Sequence, residues 1–236
     1  KVNKSLEFYA NFSQNYRSVT FTDISIINPA FSINPNITDE KGNTFDLGIR
    51  GKIKKILSFD LNLFNISYRN RIGFVQKVDR FNSVKSERGN VGNARLYGIE
   101  SLIDINFVSW LKMDSTKYAL SSFLNYSYIN SEYISTEKYG IEGNKVEFVP
   151  TDNLKAGLMF GYKNLALNFQ YSHVSQQFTD ASNAVEGSIS GVIGQIPTYN
   201  LLDFSMSYIL NKFKFEFGIN NILNEAYFTR RANGYP

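Results

Sequence analysis

The chain has 236 residues, no cysteine and a formal charge of +4, which excludes disulfides and thiolate metal sites. Lysine and arginine form no tract, so nothing supports a nucleic-acid partner. No stretch approaches the roughly 18 apolar residues of a membrane-spanning helix, yet there are 20 Phe and 15 Tyr, a high aromatic load for a soluble domain.

From the first residues onward, apolar side chains take every second place, the period of a β-strand with two unlike faces. Leu6, Phe8, Ala10 and Phe12 oppose Glu7, Tyr9 and Asn11. Phe45, Leu47 and Ile49 oppose Asp46 and Arg50, and Leu57, Phe59, Leu61 and Leu63 alternate with Ser58, Asp60 and Asn62. The pattern returns at Tyr97–Phe107, Leu120–Tyr128, Leu154–Tyr162, Leu165–Tyr171 and Leu202–Tyr208. It ends with NKFKFEFGINN, where Phe213, Phe215, Phe217 and Ile219 alternate with Lys214, Glu216, Gly218 and Asn220. About nine strands are predicted, and no helix of comparable length.

The connections alternate in length. Residues 17–43, 78–92, 132–153 and 179–199 read as long loops, and 108–117 as an intermediate one. Lys54-Lys55-Ile56, Lys163-Asn164 and Asn211-Lys212 read as tight turns. Short turns at one end and long loops at the other are the habit of outer-membrane barrels, not of soluble sandwiches. Several strands reach the ~9–11 residues needed to cross a bilayer at a tilt. Tyr126, Tyr128, Tyr162, Tyr171 and Tyr208 fall at strand ends on the apolar face, where a ring with a polar tip suits the lipid–water boundary. The Phe face is therefore assigned to lipid. The other face, with Glu7, Asp46, Arg50, Glu100, Lys155, Lys214 and Glu216, is assigned to a lumen. The expected fold is all-β, an antiparallel transmembrane β-barrel. An odd strand count points to part of a larger barrel, since single-chain bacterial barrels are even.

Two stretches resemble TonB-dependent outer-membrane receptors. NVGNARLYGIESLIDINF (90–107), with Asn93, Ala94, Gly98 and Glu100, resembles a strand motif of that family. FGINNILNEAYFTRRANGYP (217–236), with Asn220, Asn221, Leu223, Asn224, Tyr227 and Arg230, resembles the segment before its final strand. LFNISYRNRIG (63–73) and QYSHVSQQFTDASNA (170–184) are similar to stretches of the iron-chelate branch. The resemblance makes residues 1–236 a partial barrel domain, nine strands of 22, with the N-terminal plug, the TonB box and the last strand outside it. It implies a receptor, not an enzyme, that imports an iron–siderophore or ferric-citrate-like complex, energised through TonB, with outer-membrane lipid or lipopolysaccharide around it. Two other readings stay open: import of glycan or peptide with a surface lipoprotein partner, and a complete small structural or adhesive barrel.

No catalytic constellation, cofactor motif or metal site is expected. His173 is the only histidine, and it reads as an interface or rim residue. GSISGVIG (187–194) lacks the Lys-Ser/Thr of a phosphate-cradling loop and reads as an outer loop. Since ferric chelates with carboxylates are anionic and guanidinium grips carboxylate with two parallel hydrogen bonds, rim arginines Arg17, Arg69, Arg71 and Arg230 are the candidate ligand contacts. Leu63-Phe64 breaks the alternation; a β-bulge there would decide whether Arg69 and Arg71 point inward.

Overall fold

The computed structural model describes residues 5–25 and 27–231. In chain order its elements are β1 (Leu6–Arg17), α1 (Phe21–Ile24), β2 (Phe31–Ile33), β3 (Glu40–Ile53), β4 (Leu57–Val78) and β5 (Val84–Asn106). There follow α2 (Phe107–Trp110), β6 (Tyr118–Ser135), β7 (Asp152–Tyr162), β8 (Leu165–Val174), β9 (Gln177–Phe178), β10 (Gln195–Ile196), β11 (Tyr199–Leu210) and β12 (Phe213–Ile219). Nine long strands form one sheet in the order β1-β3-β4-β5-β6-β7-β8-β11-β12, every neighbouring pair antiparallel. Residues 232–236, and with them the end of the C-terminal motif, lie outside the described residues.

The register joins the separate alternations into two continuous surfaces. Ala10 faces Leu47, Leu47 faces Leu63, Leu63 faces Ile99 and Ile99 faces Tyr128. Farther along the sheet, Phe160 faces Leu167, Leu167 faces Met206 and Met206 faces Phe217. A slip of one residue in any pair would bring charges into this band, so the side-chain pattern itself fixes the pairing. Taking each large side chain of the band out of water contributes about 1.5–3 kcal/mol. On the opposite surface Arg50 bonds Glu7 at 2.9 Å, Tyr9 donates to Asp60 at 2.7 Å and Asn11 donates to Asp46 at 3.2 Å. Polar groups thus satisfy one another along the inner wall, between adjacent strands and, from Tyr9 of β1 to Asp60 of β4, across β3.

Tyrosines border the band at both ends. Tyr118 and Tyr162 lie with ring centroids 5.1 Å apart beside the tight turns, and Tyr208 sits opposite Leu165 at the same level. At the other border Tyr126 donates to Asp152 and Tyr171 to Asn200, each at 2.7 Å. His173 Nδ1 is 2.8 Å from that same Asn200 oxygen, which makes the lone histidine part of the border. The tight turns take a left-handed residue at their first position: Lys54, Lys163 and Asn211 have φ of 53°, 50° and 53°.

Two expectations are corrected. Residues 78–92 are not a long loop, because β4 runs on to Val78, β5 begins at Val84, and only 79–83 join them. Asp79 closes that tip by accepting from the Phe81 and Ser83 amides at 2.9 Å. The extension was disguised because, beyond the apolar band, Gln76, Lys77, Lys85 and Glu87 carry no apolar stripe. The bulge is also displaced. Leu63 and Phe64 pair regularly with Ile99 and Gly98, and the register shifts instead between Tyr68 and Ile72. Phe64 stays in register on the inner wall because Gly98 leaves it room: a Cβ there would come within 3.1 Å of the Phe64 ring and 1.9 Å of the Tyr128 carbonyl.

The division of faces gives a stability test. Leu158→Arg in the middle of the apolar band is expected to cost about 2–4 kcal/mol in urea titrations of folding into lipid vesicles. Asn168→Arg on the inner wall is expected to stay within about 0.5 kcal/mol.

Candidate functional site

The bulge sits where β4 leaves the apolar band. Asn70 adopts φ 53°, its amide donates to Asn93 Oδ1 at 3.2 Å, and its carbonyl accepts from Asn90 Nδ2 at 2.6 Å. One extra residue here changes which side of the sheet the following side chains take. Arg69 keeps the outward parity of Leu63, opposite Lys41. Arg71 turns inward, its guanidinium 5.2 Å from the centre of the Tyr68 ring. There it lies 3.8 Å from Glu147, which is almost wholly buried and accepts from Tyr133 at 2.7 Å. Glu40 is held at the same level by the Ile72 amide at 2.8 Å. Gly73 makes the seat possible, since a Cβ there would stand 2.1 Å from Glu147 Oε1.

Above this seat four outer segments form a folded cap on the inner side of the sheet. Val75, Val91, Ala94, Tyr133, Ile141, Val146 and Ala181, drawn from β4, β5, β6 and the segments after β6 and β8, make a buried core. The Ala181 amide donates to the Phe74 carbonyl at 2.8 Å, and Gln76 Nε2 to Ser182 Oγ at 2.8 Å. Asn183 exchanges two hydrogen bonds with the Lys145 backbone at 2.7 and 2.8 Å. Phe74 stands at the centre, edge-on to Phe31 and Phe148 and 4.6 Å below the Arg88 guanidinium. Asp180 is fully buried beside Ser182; burial raises its pKa, and the Ser182 and Gln76 hydrogen bonds act against the rise.

The segment after β1 is tied to the cap by one carboxylate. Asp23, 1% exposed, accepts from Arg17 at 2.8 Å, from Arg88 at 2.8 and 3.1 Å, and from the Thr20 amide and hydroxyl at 2.9 and 2.7 Å. Burial acts to raise its pKa, but the hydrogen bonds from Thr20, Arg88 and Arg17 outweigh it and hold the carboxyl well below the usual range. β2 then pairs in parallel with Ser86–Arg88 of β5.

Of the four rim arginines, the cap brings Arg17 and Arg71 to its inner side, each engaged by a buried carboxylate. Arg69 stands exposed on the outer wall, and Arg230 is exposed at the end of the described chain. The motif residues have structural roles. Asn93 holds the bulge, Ala94 is fully buried against the cap, Gly98 gives the close approach described above, and Glu100 faces Asn62 and Ser127 on the inner wall. Asn221 takes φ 53°, receives Glu225 N at 3.0 Å and donates to Glu225 O at 2.9 Å, closing the turn after β12. Tyr227 stacks on Tyr199 with centroids 4.9 Å apart. Sequence reasoning missed Asp23, Tyr133 and Glu147. Their roles arise from contacts between distant segments, and no local spacing marks them.

Lipid on one face, water on the other and a folded cap beyond one border are the demands of an outer-membrane β-barrel, and the nine strands are a sector of one. The chain belongs to the TonB-dependent receptor family: the family model described as TonB dependent receptor-like, beta-barrel, matches residues 1–222. Among solved structures it is similar to the ferric citrate transporter FecA in the unliganded form, with TM-score 0.74 and 24% identity over 100% of this chain and 35% of that one. It is similar to the ferric yersiniabactin uptake receptor FyuA from Yersinia pestis, with TM-score 0.69 and 19% identity over 97% and 32%. It is also similar to the copper transporter OprC, with TM-score 0.67 and 13% identity over 96% and 32%. The chain therefore spans about a third of the length of those structures. No curated protein matches it by sequence.

Two outcomes follow for the cap. Glu147→Gln leaves Arg71 buried beside one carboxylate fewer, and the free energy of local opening should fall by about 3 kcal/mol, read as faster hydrogen exchange in residues 140–150 of the full-length receptor. For Asp23, whose folded pKa is depressed, the contribution is whole above the unfolded value near 4 and is lost as pH falls below it. The protection factor in β2, exchange corrected for its intrinsic pH dependence, should accordingly be unchanged between pH 7 and 5 and fall only in stronger acid, whereas Asp23→Asn should lower it already at pH 7.

Proposed function

We propose that the protein containing this sector is an active-transport receptor that captures a bulky ferric chelate, of the siderophore or ferric-citrate kind, and imports it with energy delivered through TonB. The observation that carries the reading is the cap. Four outer segments, tied together by Asp23 and Glu147, form a packed cap beyond the apolar band and above the polar inner wall, the end at which a large hydrated ligand would be met. Similarity along the whole chain to a ferric citrate transporter and a ferric yersiniabactin receptor supports the same cargo class. The mechanism is binding and release, not bond chemistry. In the account the family suggests, a plug closes the lumen until TonB acts on it. Arg17 and Arg71 serve by positioning the cap, since their guanidinium groups already face buried carboxylates.

A second reading has one observation in its favour, the similarity to a copper transporter. Uptake by iron-starved cells carrying the full-length receptor separates the two. Radioactive iron supplied as citrate, hydroxamate or catecholate chelate should enter saturably with at least one of them, and entry should cease without TonB. Uptake of copper but of no ferric chelate would overturn the proposal, as would growth on a glycan or peptide alone.

A further inference from the structure

The turns that join β3 to β4, β5 to β6, β7 to β8 and β11 to β12 stand side by side at the end of the sheet away from the cap. They carry Lys54, Lys55, Lys112, Lys117, Lys163 and Lys212, all exposed, and a single carboxylate, Asp114. That excess of lysine is larger than the +4 of the whole chain, so the positive charge of the protein is gathered at this rim. Asp114 pairs with Lys117 at 3.1 Å, and the Lys163 ammonium lies 5.3 Å from the centre of the Tyr162 ring. Among the described residues, Lys54, Lys55, Lys112 and Lys212 make no ion pair.

Two features set the row apart from an ordinary solvated face. Each turn has a residue in the left-handed region: Lys54, Lys112, Lys163 and Asn211 have φ of 53°, 55°, 50° and 53°. Glycine and asparagine take that conformation with the least strain, yet three of the four turns place lysine there. A turn needed only for the fold has no use for that strain, which points to a role for the ammonium groups. The turns are also fastened to one another. The Asn106 amide donates to the Ile56 carbonyl at 2.7 Å, the Lys163 amide to the Lys117 carbonyl at 2.8 Å, and the Ile209 amide to the Asn164 carbonyl at 3.0 Å.

Successive turns lie two strands apart, about 10 Å, so the row runs roughly 30 Å along the rim. A fixed row of evenly spaced ammonium groups suits a polymer that repeats its carboxylates better than it suits one compact anion. In an outer-membrane barrel the short turns belong to the periplasmic end. Their tips stand beyond Tyr118, Tyr162 and Tyr208, the rings of the lipid–water boundary, and so on the aqueous side of the headgroups. The extended polymer of repeating carboxylates on that side is the cell wall, through its peptide stems.

We propose that Lys54, Lys55, Lys112 and Lys212 form a docking surface for peptidoglycan, pairing with the carboxylates of its peptide stems and holding this rim of the barrel to the wall. The surface owes nothing to the imported cargo, so its failure leaves the transport reading standing, and the converse holds too.

The test sediments the purified receptor that carries this sector with insoluble peptidoglycan sacculi, either native or with their carboxyl groups converted to amides. The wild type should bind amidated sacculi on the order of 10-fold more weakly than native ones, since four exposed ion pairs each contribute up to a few-fold. Lys54→Gln/Lys55→Gln/Lys112→Gln/Lys212→Gln should lose binding to native sacculi to a similar extent. Lys41→Gln/Arg69→Gln/Arg80→Gln/Arg95→Gln, which removes the same charge from the outer end, should bind like the wild type. Binding should also be the same from nanodiscs of phosphatidylcholine and of phosphatidylglycerol. Equal binding of the two kinds of sacculi by the wild type would overturn the proposal, and that comparison depends on no variant folding. An equal loss in the outer-end variant would overturn it by reducing the effect to net charge. Loss of binding in phosphatidylglycerol nanodiscs would overturn it as well, by giving the lysines to lipid phosphates.

Discussion

Inside a membrane no water is present to satisfy a peptide group, so each backbone N–H and C=O in the apolar band must find its partner in a neighbouring strand. That constraint makes the strands long, makes all nine antiparallel neighbours in sequence order, and makes their register rigid. Once backbone pairing is complete, the side chains have only two directions. Phe and Leu therefore collect on one surface while Arg50, Glu7, Tyr9 and Asp60 pair with each other on the other. β1 and β12 are the edges of this sector, and in a closed barrel they pair with further strands.

Beyond the band the constraint relaxes, and the structure changes character at one residue. Asn70 adopts a left-handed backbone and two asparagines of β5 hold it. The sheet can bend there because polar groups left by the bulge meet side chains and water. Arg69 and Arg71, two residues apart, are thereby sent to opposite sides of the wall: one toward the headgroups, the other beneath the cap. From that point β4 and β5 continue as a hairpin that serves as the spine of the cap. The outer segments are thus a small packed structure with its own apolar core, joined by buried carboxylates.

Much of this was legible in the residues. The period of two at Phe213, Phe215 and Phe217, the tight turns at Lys54, Lys163 and Asn211, and the bordering tyrosines each follow from local chemistry. The rest was not, for physical reasons. Asp23 and Arg88 are 65 residues apart, and Gln76 and Ser182 are 106 apart, distances over which no periodic pattern operates. The direction of Arg71 depends on a bulge whose one local signal is an asparagine between two arginines. Asparagine tolerates left-handed backbone better than most residues, but many asparagines do not adopt it. The strand extension at 72–90 is hard to read because its buried apolar residues, Ile72 and Val75, stand at odd spacing among polar ones and make no stripe of period two.

One surface of the sheet meets lipid and the other water, and the cap, the borders and the inner wall all depend on that division. Because these 236 residues contain no cysteine, single spin labels can be placed along β8 of the full-length receptor in lipid, with any cysteines elsewhere removed. Labels at Leu165→Cys, Leu167→Cys and Phe169→Cys should collide preferentially with oxygen, and labels at Ala166→Cys, Asn168→Cys and Gln170→Cys with a water-soluble nickel chelate. Alternation of that phase would establish the division of faces; uniform access to nickel along the strand, or the opposite phase, would contradict it.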